Sequence, residues 1–142
     1  MRVEITDVTA RDGLQSEPNY VGARDKIDLL QRLAIAGAKR LEVTSFVSPR
    51  AVPQLADAEE VLAGLSLPDD VLLRALVPNL RGAERALQTR VDEWVCFLSA
   101  TESHSQANSN CSVETALQRL EPVVGLAQQS GRKAGAALAV AF

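Results

Sequence analysis

From residue 2 to residue 142 strand-like and helix-like runs take turns without a break, and few folds accommodate that pattern. Arg2–Val8 alternates and reads as a strand; Thr9–Tyr20 is polar and reads as a loop punctuated by Gly13 and Pro18. Ala23–Ala36 places Ile27, Leu30, Leu33 and Ala34 at helical spacing, with Lys26, Asp28 and Arg32 on the other side and Gly37 as the stop. Arg40–Phe46 is a second strand, Val52–Leu65 a second helix, and Val71–Val77 a third strand closed by Pro78. Asn79 can cap a helix over Leu80–Leu87, and Glu93–Leu98 is a fourth strand. A long polar loop is expected over Ser99–Asn110, then a fourth helix with Ser112 as N-cap, Glu114 in its first turn and Gly131 at its end, and a fifth strand over Lys133–Phe142.

Parallel strands joined by right-handed crossovers follow from this order, in one α/β domain. Two architectures fit: an open doubly wound sheet, or part of a closed (β/α)8 barrel, which when whole takes about 250 residues. The length of 142 residues favours the open sheet. The missing G-x-G-x-x-G turn and the charged residues gathered at strand ends favour the barrel.

Charge narrows the function. The net charge of −3 is mild and the basic residues are scattered, so a nucleic-acid partner is not expected. No apolar run approaches the roughly 20 residues of a spanning helix, and no leader pattern opens the chain, so no membrane partner and a cytoplasmic location are expected. Cys96, within an apolar strand, is expected to pack as a reduced thiol; Cys111 leaves packing and reactivity both open.

The residues with the most chemistry follow the first strand. Arg11 and Asp12 stand where ligands gather in α/β proteins, and a guanidinium beside a carboxylate suits anion stabilisation and metal binding. Each has a plainer alternative: Arg11 can pair with Glu42 across neighbouring strands, and Asp12-Gly13 is a common turn dipeptide. Ser45 and Ser48 stand where a substrate can be hydrogen-bonded or where a loop is merely solvated. Asn79 reads as a helix cap before a substrate contact, and His104, the one histidine, as a solvated loop residue.

Arg11-Asp-Gly-Leu-Gln15, Glu42-Val-Thr-Ser-Phe-Val-Ser-Pro-Arg50 with Val52-Pro-Gln54, Val77-Pro-Asn79, and Asn110-Cys-Ser112 together resemble the 3-hydroxy-3-methylglutaryl-coenzyme A lyase family. The resemblance runs from Val3 to Phe142 and implies the amino-terminal five strand–helix units of a (β/α)8 TIM barrel, residues 1–142 being a partial barrel domain. It implies a divalent cation, Mg²⁺ or Mn²⁺, with Asp12 as a ligand, and an acyl-CoA substrate cleaved at a carbon–carbon bond. It further implies that Arg11 stabilises the developing oxyanion while Glu42 and Gln15 orient it, that Ser45 and Asn110 contact substrate, and that the full-length enzyme is a homo-oligomer. Related isopropylmalate- and citramalate-type synthases usually carry Leu-Arg-Asp-Gly-Glu-Gln where this chain has Ala10-Arg-Asp-Gly-Leu-Gln15, so the lyase is the expected branch. The family's His-x-His ligands, a further Asn ligand and its catalytic Cys loop belong to later strands and have no counterpart here. The 142 residues alone are therefore expected to be inactive, and a non-catalytic half-barrel that needs a partner chain is the rival reading. An uncovered strand edge at Leu138, Val140 and Phe142 is expected to make the chain prone to aggregate.

Overall fold

A computed structural model describes residues 3–141. The helices and strands are α1 (Ala23–Ile35), β1 (Arg40–Ser45), α2 (Ala58–Gly64), β2 (Leu72–Leu76), α3 (Leu80–Leu87), β3 (Glu93–Ser99), α4 (Glu102–Ser109), α5 (Val113–Gln129) and β4 (Lys133–Ala139). The strands form one parallel sheet in the order β1-β2-β3-β4, so each crossover brings the chain to the adjacent position. Alternation in the sequence sorts the strand residues onto two faces. Leu41, Leu73, Ala75, Trp94 and Cys96 join Leu30 of α1, Val61 of α2, Ala83 and Ala86 of α3 and Val123 and Ala127 of α5 in a single apolar core. These helices all pack on that one face, as in a barrel wall and unlike a doubly wound sheet.

Several boundaries follow from local chemistry. Gly37 ends α1 because its φ of 105° lies where side chains with a Cβ are disfavoured. Asn79 caps α3 through its side-chain oxygen, which accepts from Gly82 N at 2.9 Å, and Ser112 caps α5 in the same way toward Thr115 N at 3.1 Å.

Elsewhere the sequence reading needs correction. The strand expected over Arg2–Val8 is reduced, within the described residues, to one bridge between Asp7 and Leu41, so four strands and a bridge stand where five strands were expected. Its alternation is genuine, but Ile5 is 80% exposed, and an apolar residue with no neighbour to cover it does not hold a strand in register. The polar loop after it contains a π-helical turn, Thr9–Gly13. The helix expected over Val52–Leu65 is split into a 3₁₀ turn, Pro53–Leu55, and α2, as suits a proline at the start of a helical turn. The loop expected over Ser99–Asn110 contains α4, a polar helix capped by Thr101, with Asn110 in the left-handed conformation at its carboxyl end. Strand β4 stops at Ala139, and Leu138 and Val140 are exposed, as expected of this edge; Phe142 lies outside the described residues.

Lys26, which helical spacing assigns to the solvent side of α1, is 1% exposed. Its Nζ donates to both carboxylate oxygens of Asp57, at 2.7 and 2.9 Å, and to the Gln54 carbonyl at 2.5 Å, and it lies 5.0 Å from the centre of the Tyr20 ring. The Tyr20 hydroxyl donates to Asp57, and Gln54 Nε2 donates to the Glu17 carbonyl, so the segment after the π-helical turn is tied down to the start of α2. Burial, with the Asp57 carboxylate adding to it, raises the Tyr20 pKa.

Candidate functional site

The site begins at the Asp7 bridge. Asp7 N donates to the Arg40 carbonyl at 2.9 Å and the Asp7 carbonyl accepts from Glu42 N at 2.8 Å, which pins the incoming chain beside β1. Asp7 Oδ1 then accepts from Thr9 N at 2.9 Å and starts a turn, and the Val8 carbonyl gathers N–H groups of Arg11, Asp12 and Gly13. That tight turn swings Arg11 back over β1. Its guanidinium lies 2.5 Å from Glu42 Oε1 through both Nε and Nη2, and its Nη1 donates to Asp12 Oδ1 at 2.7 Å. Glu42 is 5% exposed and Arg11 17%, so this pair is largely withdrawn from water, whereas the Asp12 carboxylate is 62% exposed. Arg11 is thereby held in a fixed orientation, and Asp12 offers its outer oxygen to solvent.

A second arginine meets Glu42 from the next strand. Arg74 Nε lies 3.3 Å from Glu42 Oε2, and Arg74 reaches Glu93 at 3.6 Å; Glu93 in turn accepts from Arg40 at 2.7 Å. Arginine and glutamate thus alternate across three strands on the face away from the helices. Gly135 on β4 leaves the room this needs, since a Cβ there would stand 2.7 Å from Glu93 Oε1. A bulge in β1 matters as well. The pairing slips between Glu42 and Thr44, so Ser45 comes opposite Leu76 and shares the face of Glu42, which is opposite Arg74. Ser45 is buried, and its hydroxyl accepts from Val47 N at 3.3 Å.

The structure therefore brings Arg11, Asp12 and Glu42 together, with Ser45 farther along the same strand face. No hydrogen bond or ion pair among the described residues links Gln15 or Asn110 to them; Gln15 is exposed, and Asn110 ends α4. Asn79 has the capping role expected of it. His104 is not a loop residue: it lies on α4, half-buried, with Nδ1 2.8 Å from the hydroxyl of buried Ser99 and its ring 6.5 Å from that of Phe97. Cys96 and Cys111 are both free and buried, and burial pushes the Cys96 thiol pKa up, which suits packing. Arg74, Arg40 and Glu93 escaped the sequence reading, although the charge inside Leu72-Leu-Arg-Ala-Leu76 signals a face that is not simply apolar.

For a divalent cation these residues are insufficient. Hard cations take about six or more oxygen ligands, Asp12 supplies one carboxylate, and among the described residues no three His, Cys, Asp or Glu side chains converge. Among the same residues no helix is long and apolar enough to cross a membrane.

Comparison with known proteins extends over the whole of this arrangement. The sequence profile of the HMGL-like family matches residues 2–142. A 3-hydroxy-3-isohexenylglutaryl-CoA/hydroxy-methylglutaryl-CoA lyase of Pseudomonas aeruginosa is 44% identical over 128 residues, which are 90% of this chain and 43% of that protein. The crystal structure of hydroxymethylglutaryl-CoA lyase from Pseudomonas aeruginosa superposes with a TM-score of 0.93 at 42% identity, covering 96% of this chain and 46% of that one. An HMG-CoA lyase from Acinetobacter baumannii, in complex with coenzyme A and 3-methylmalate, superposes with a TM-score of 0.90 at 36% identity, over 95% of this chain and 44% of its own. The chain spans under half the length of the relatives it matches, and its strand–helix order is that of the amino-terminal half of their TIM barrel.

Proposed function

The chain belongs to the HMGL-like family, and from that premise we propose that it forms the amino-terminal part of a lyase that cleaves 3-hydroxy-3-methylglutaryl-CoA to acetyl-CoA and acetoacetate. In that reaction the tertiary hydroxyl loses its proton, the bond to the thioester-bearing carbon breaks, and the departing enolate takes up a proton. The observation that carries the reading is the clamped Arg11 guanidinium, held by Glu42 of β1 and by Asp12 in the turn that follows the Asp7 bridge. A donor fixed before reaction stabilises developing negative charge without having to reorganise.

In this reading Glu42, backed by Arg74, orients Arg11, and Gln15 completes the surround once substrate is present. Ser45 and Asn110 contact the substrate. Asp12 contributes one carboxylate to Mg²⁺ or Mn²⁺, whose other donors come from outside these residues, and such a cation supplies Lewis acidity toward the alcohol oxygen. Further strands complete the barrel, from the same polypeptide or from a partner chain; the uncovered Leu138 and Val140 at the β4 edge support this. The enzyme is cytoplasmic and homo-oligomeric in the same proposal. The lyase branch is preferred to the synthase branch because the relatives quoted above carry lyase names.

The test is acetoacetate release from 3-hydroxy-3-methylglutaryl-CoA, with Mg²⁺ or Mn²⁺, by the complete barrel in which this chain is joined by the further strands, from the same polypeptide or from a partner chain. Arg11→Met is expected to lower kcat by about 10²–10³, the loss typical of removing one oxyanion donor. No acetoacetate from the wild-type complete barrel, or an undiminished rate in its Arg11→Met variant, would sink the proposal.

A further inference from the structure

On the face of the sheet away from the helices, Arg11, Glu42, Arg74, Glu93 and Arg40 form one chain of alternating charge. Three guanidiniums share two carboxylates, so this set carries a surplus of positive charge. The carboxylates at its two ends, Asp12 and Glu4, lie exposed, where water screens them.

Arg85 and Glu59 show how an arginine–glutamate pair settles when little else draws on the carboxylate. They meet fork to fork, Nε on one oxygen at 2.6 Å and Nη2 on the other at 2.9 Å. Glu42 is divided instead. Its Oε1 lies 2.5 Å from both Nε and Nη2 of Arg11, and its Oε2 is turned to Arg74 Nε at 3.3 Å. Arg74 Nε is buried and completes no hydrogen bond, so its hold on Glu42 is charge without direction. An unpaired buried N–H costs stability, and it persists here because Arg74 is fixed by other groups. Its Nη1 donates to the Thr6 hydroxyl at 3.3 Å and its Nη2 lies 3.6 Å from Glu93 Oε1. Arg40 braces the same two partners, donating to the Thr6 hydroxyl at 3.3 Å and to Glu93 Oε2 at 2.7 Å.

The negative charge of Glu42 is thereby shared between two guanidiniums. Glu42 holds Arg11 in place without fully neutralising it, and one N–H on each of Nη1 and Nη2 of Arg11 has no partner among the described residues. Because the pair is largely withdrawn from water, the remaining charge acts strongly on an anion formed beside it.

We propose that Arg74 is a positioning residue for Arg11: it draws Glu42 Oε2 to itself, keeps Glu42 from closing on Arg11 with both oxygens, and so leaves the Arg11 guanidinium incompletely neutralised for an oxyanion. Glu93, Arg40 and Thr6 hold Arg74 to that task. The effect on catalysis rests on the lyase reading; the effect on Arg11 does not. Without Arg74, Glu42 and Arg11 relax toward the fork seen at Arg85 and Glu59. Since negative charge develops only after substrate is bound, the loss falls on kcat rather than KM.

Two measurements on the complete barrel test this. In an NMR spectrum of the ¹⁵N-arginine-labelled protein, the Arg11 Nε–H signal, assigned by its loss in Arg11→Lys, is expected to move in Arg74→Met. The Arg85 Nε–H signal, assigned in the same way, is expected to stay in place. In acetoacetate release Arg74→Met is expected to lower kcat about tenfold with KM within about twofold, as for other residues that orient a reacting group through a neighbour. Arg74→Lys returns a cation beside Glu42 and is expected to recover at least about a third of the wild-type kcat. If Arg74→Met does not fold with Glu93 left short of a partner, Arg74→Met/Glu93→Gln preserves the net charge and carries the same expectations. An Arg11 signal that stays in place, or one that moves together with that of Arg85, would overturn the positioning role. So would an undiminished kcat in a barrel whose wild type releases acetoacetate, or as large a loss in Arg74→Lys as in Arg74→Met. A wild type that releases no acetoacetate, with an Arg11 signal that moves as expected, would refute the lyase reading and leave the positioning of Arg11 standing.

Discussion

On the helix side of the sheet Leu41, Leu73 and Trp94 are kept from water by apolar neighbours, whereas on the opposite side Glu42, Arg74 and Glu93 are kept from water by one another. The two sets come from the same strands and lie one residue apart. On the helix side the stabilisation is transfer of apolar area, which is indifferent to direction. On the charged side desolvation of each ion offsets much of the pairing, so those residues contribute little net stability and a great deal of fixed orientation. Strand β1 thus separates two tasks by alternation: Leu41 holds the sheet to its helices, and Glu42 holds Arg11.

Substituting these neighbours tests that division. Leu41→Ala is expected to show the largest loss of stability, about 3 kcal/mol in urea unfolding, because it deletes fully buried methyl groups and leaves a cavity. A loss below that of the neighbouring glutamate variant would break the comparison. Glu42→Gln is expected to cost less, about 1–3 kcal/mol, since it weakens charged hydrogen bonds that retain some access to water. In the complete barrel of the proposed lyase, its effect on acetoacetate release is expected to exceed its effect on stability, through misorientation of Arg11. Equal effects on both would assign Glu42 to the framework alone.

The smallest expected effect is a pH dependence on the helix side. The Arg85 hydrogen bonds, opposed in part by burial, hold the Glu59 carboxyl below its ordinary value. A carboxylate with a depressed pKa in the folded state stabilises above its unfolded pKa of about 4.3, and that stabilisation fades as pH falls through the folded value. The urea midpoint of the wild type is therefore expected to fall more steeply on acidification below that point than the midpoint of Glu59→Gln. Parallel curves would show that the Glu59–Arg85 pair contributes nothing to the fold.

Most strands and helices were legible because their signals are local. Arg40–Phe46 and Leu80–Leu87 read correctly to within a residue, the first from its β-rich composition, the second from Asn79 and the apolar spacing after it. Helix α4 was not, because it is polar on nearly every side and buries only Ser105; its caps, Thr101 and the left-handed Asn110, were its one signal. The strand pattern of the segment before Asp7 was misleading for the opposite reason: the alternation is there, but a strand forms only where a neighbour supplies hydrogen bonds and cover. Within the site, the Arg11-Asp12 turn and its Glu42 partner were legible, while Arg74 was not, since nothing in the sequence states that its strand pairs with β1 at Glu42.

Lys26 marks the boundary between the two kinds of information. The sequence by itself determined the period of α1, its stop at Gly37, the alternation of the strands and the order of the motifs, because each depends on residues within a few positions of one another. Only the tertiary structure decided that Lys26 is buried, that Ser45 turns to the face of Glu42 through a bulge, and that Arg11 and Arg74 share Glu42. Burial and charge pairing are set by groups about 30 residues or more away, and no local pattern specifies which of them the packed chain brings within hydrogen-bonding distance.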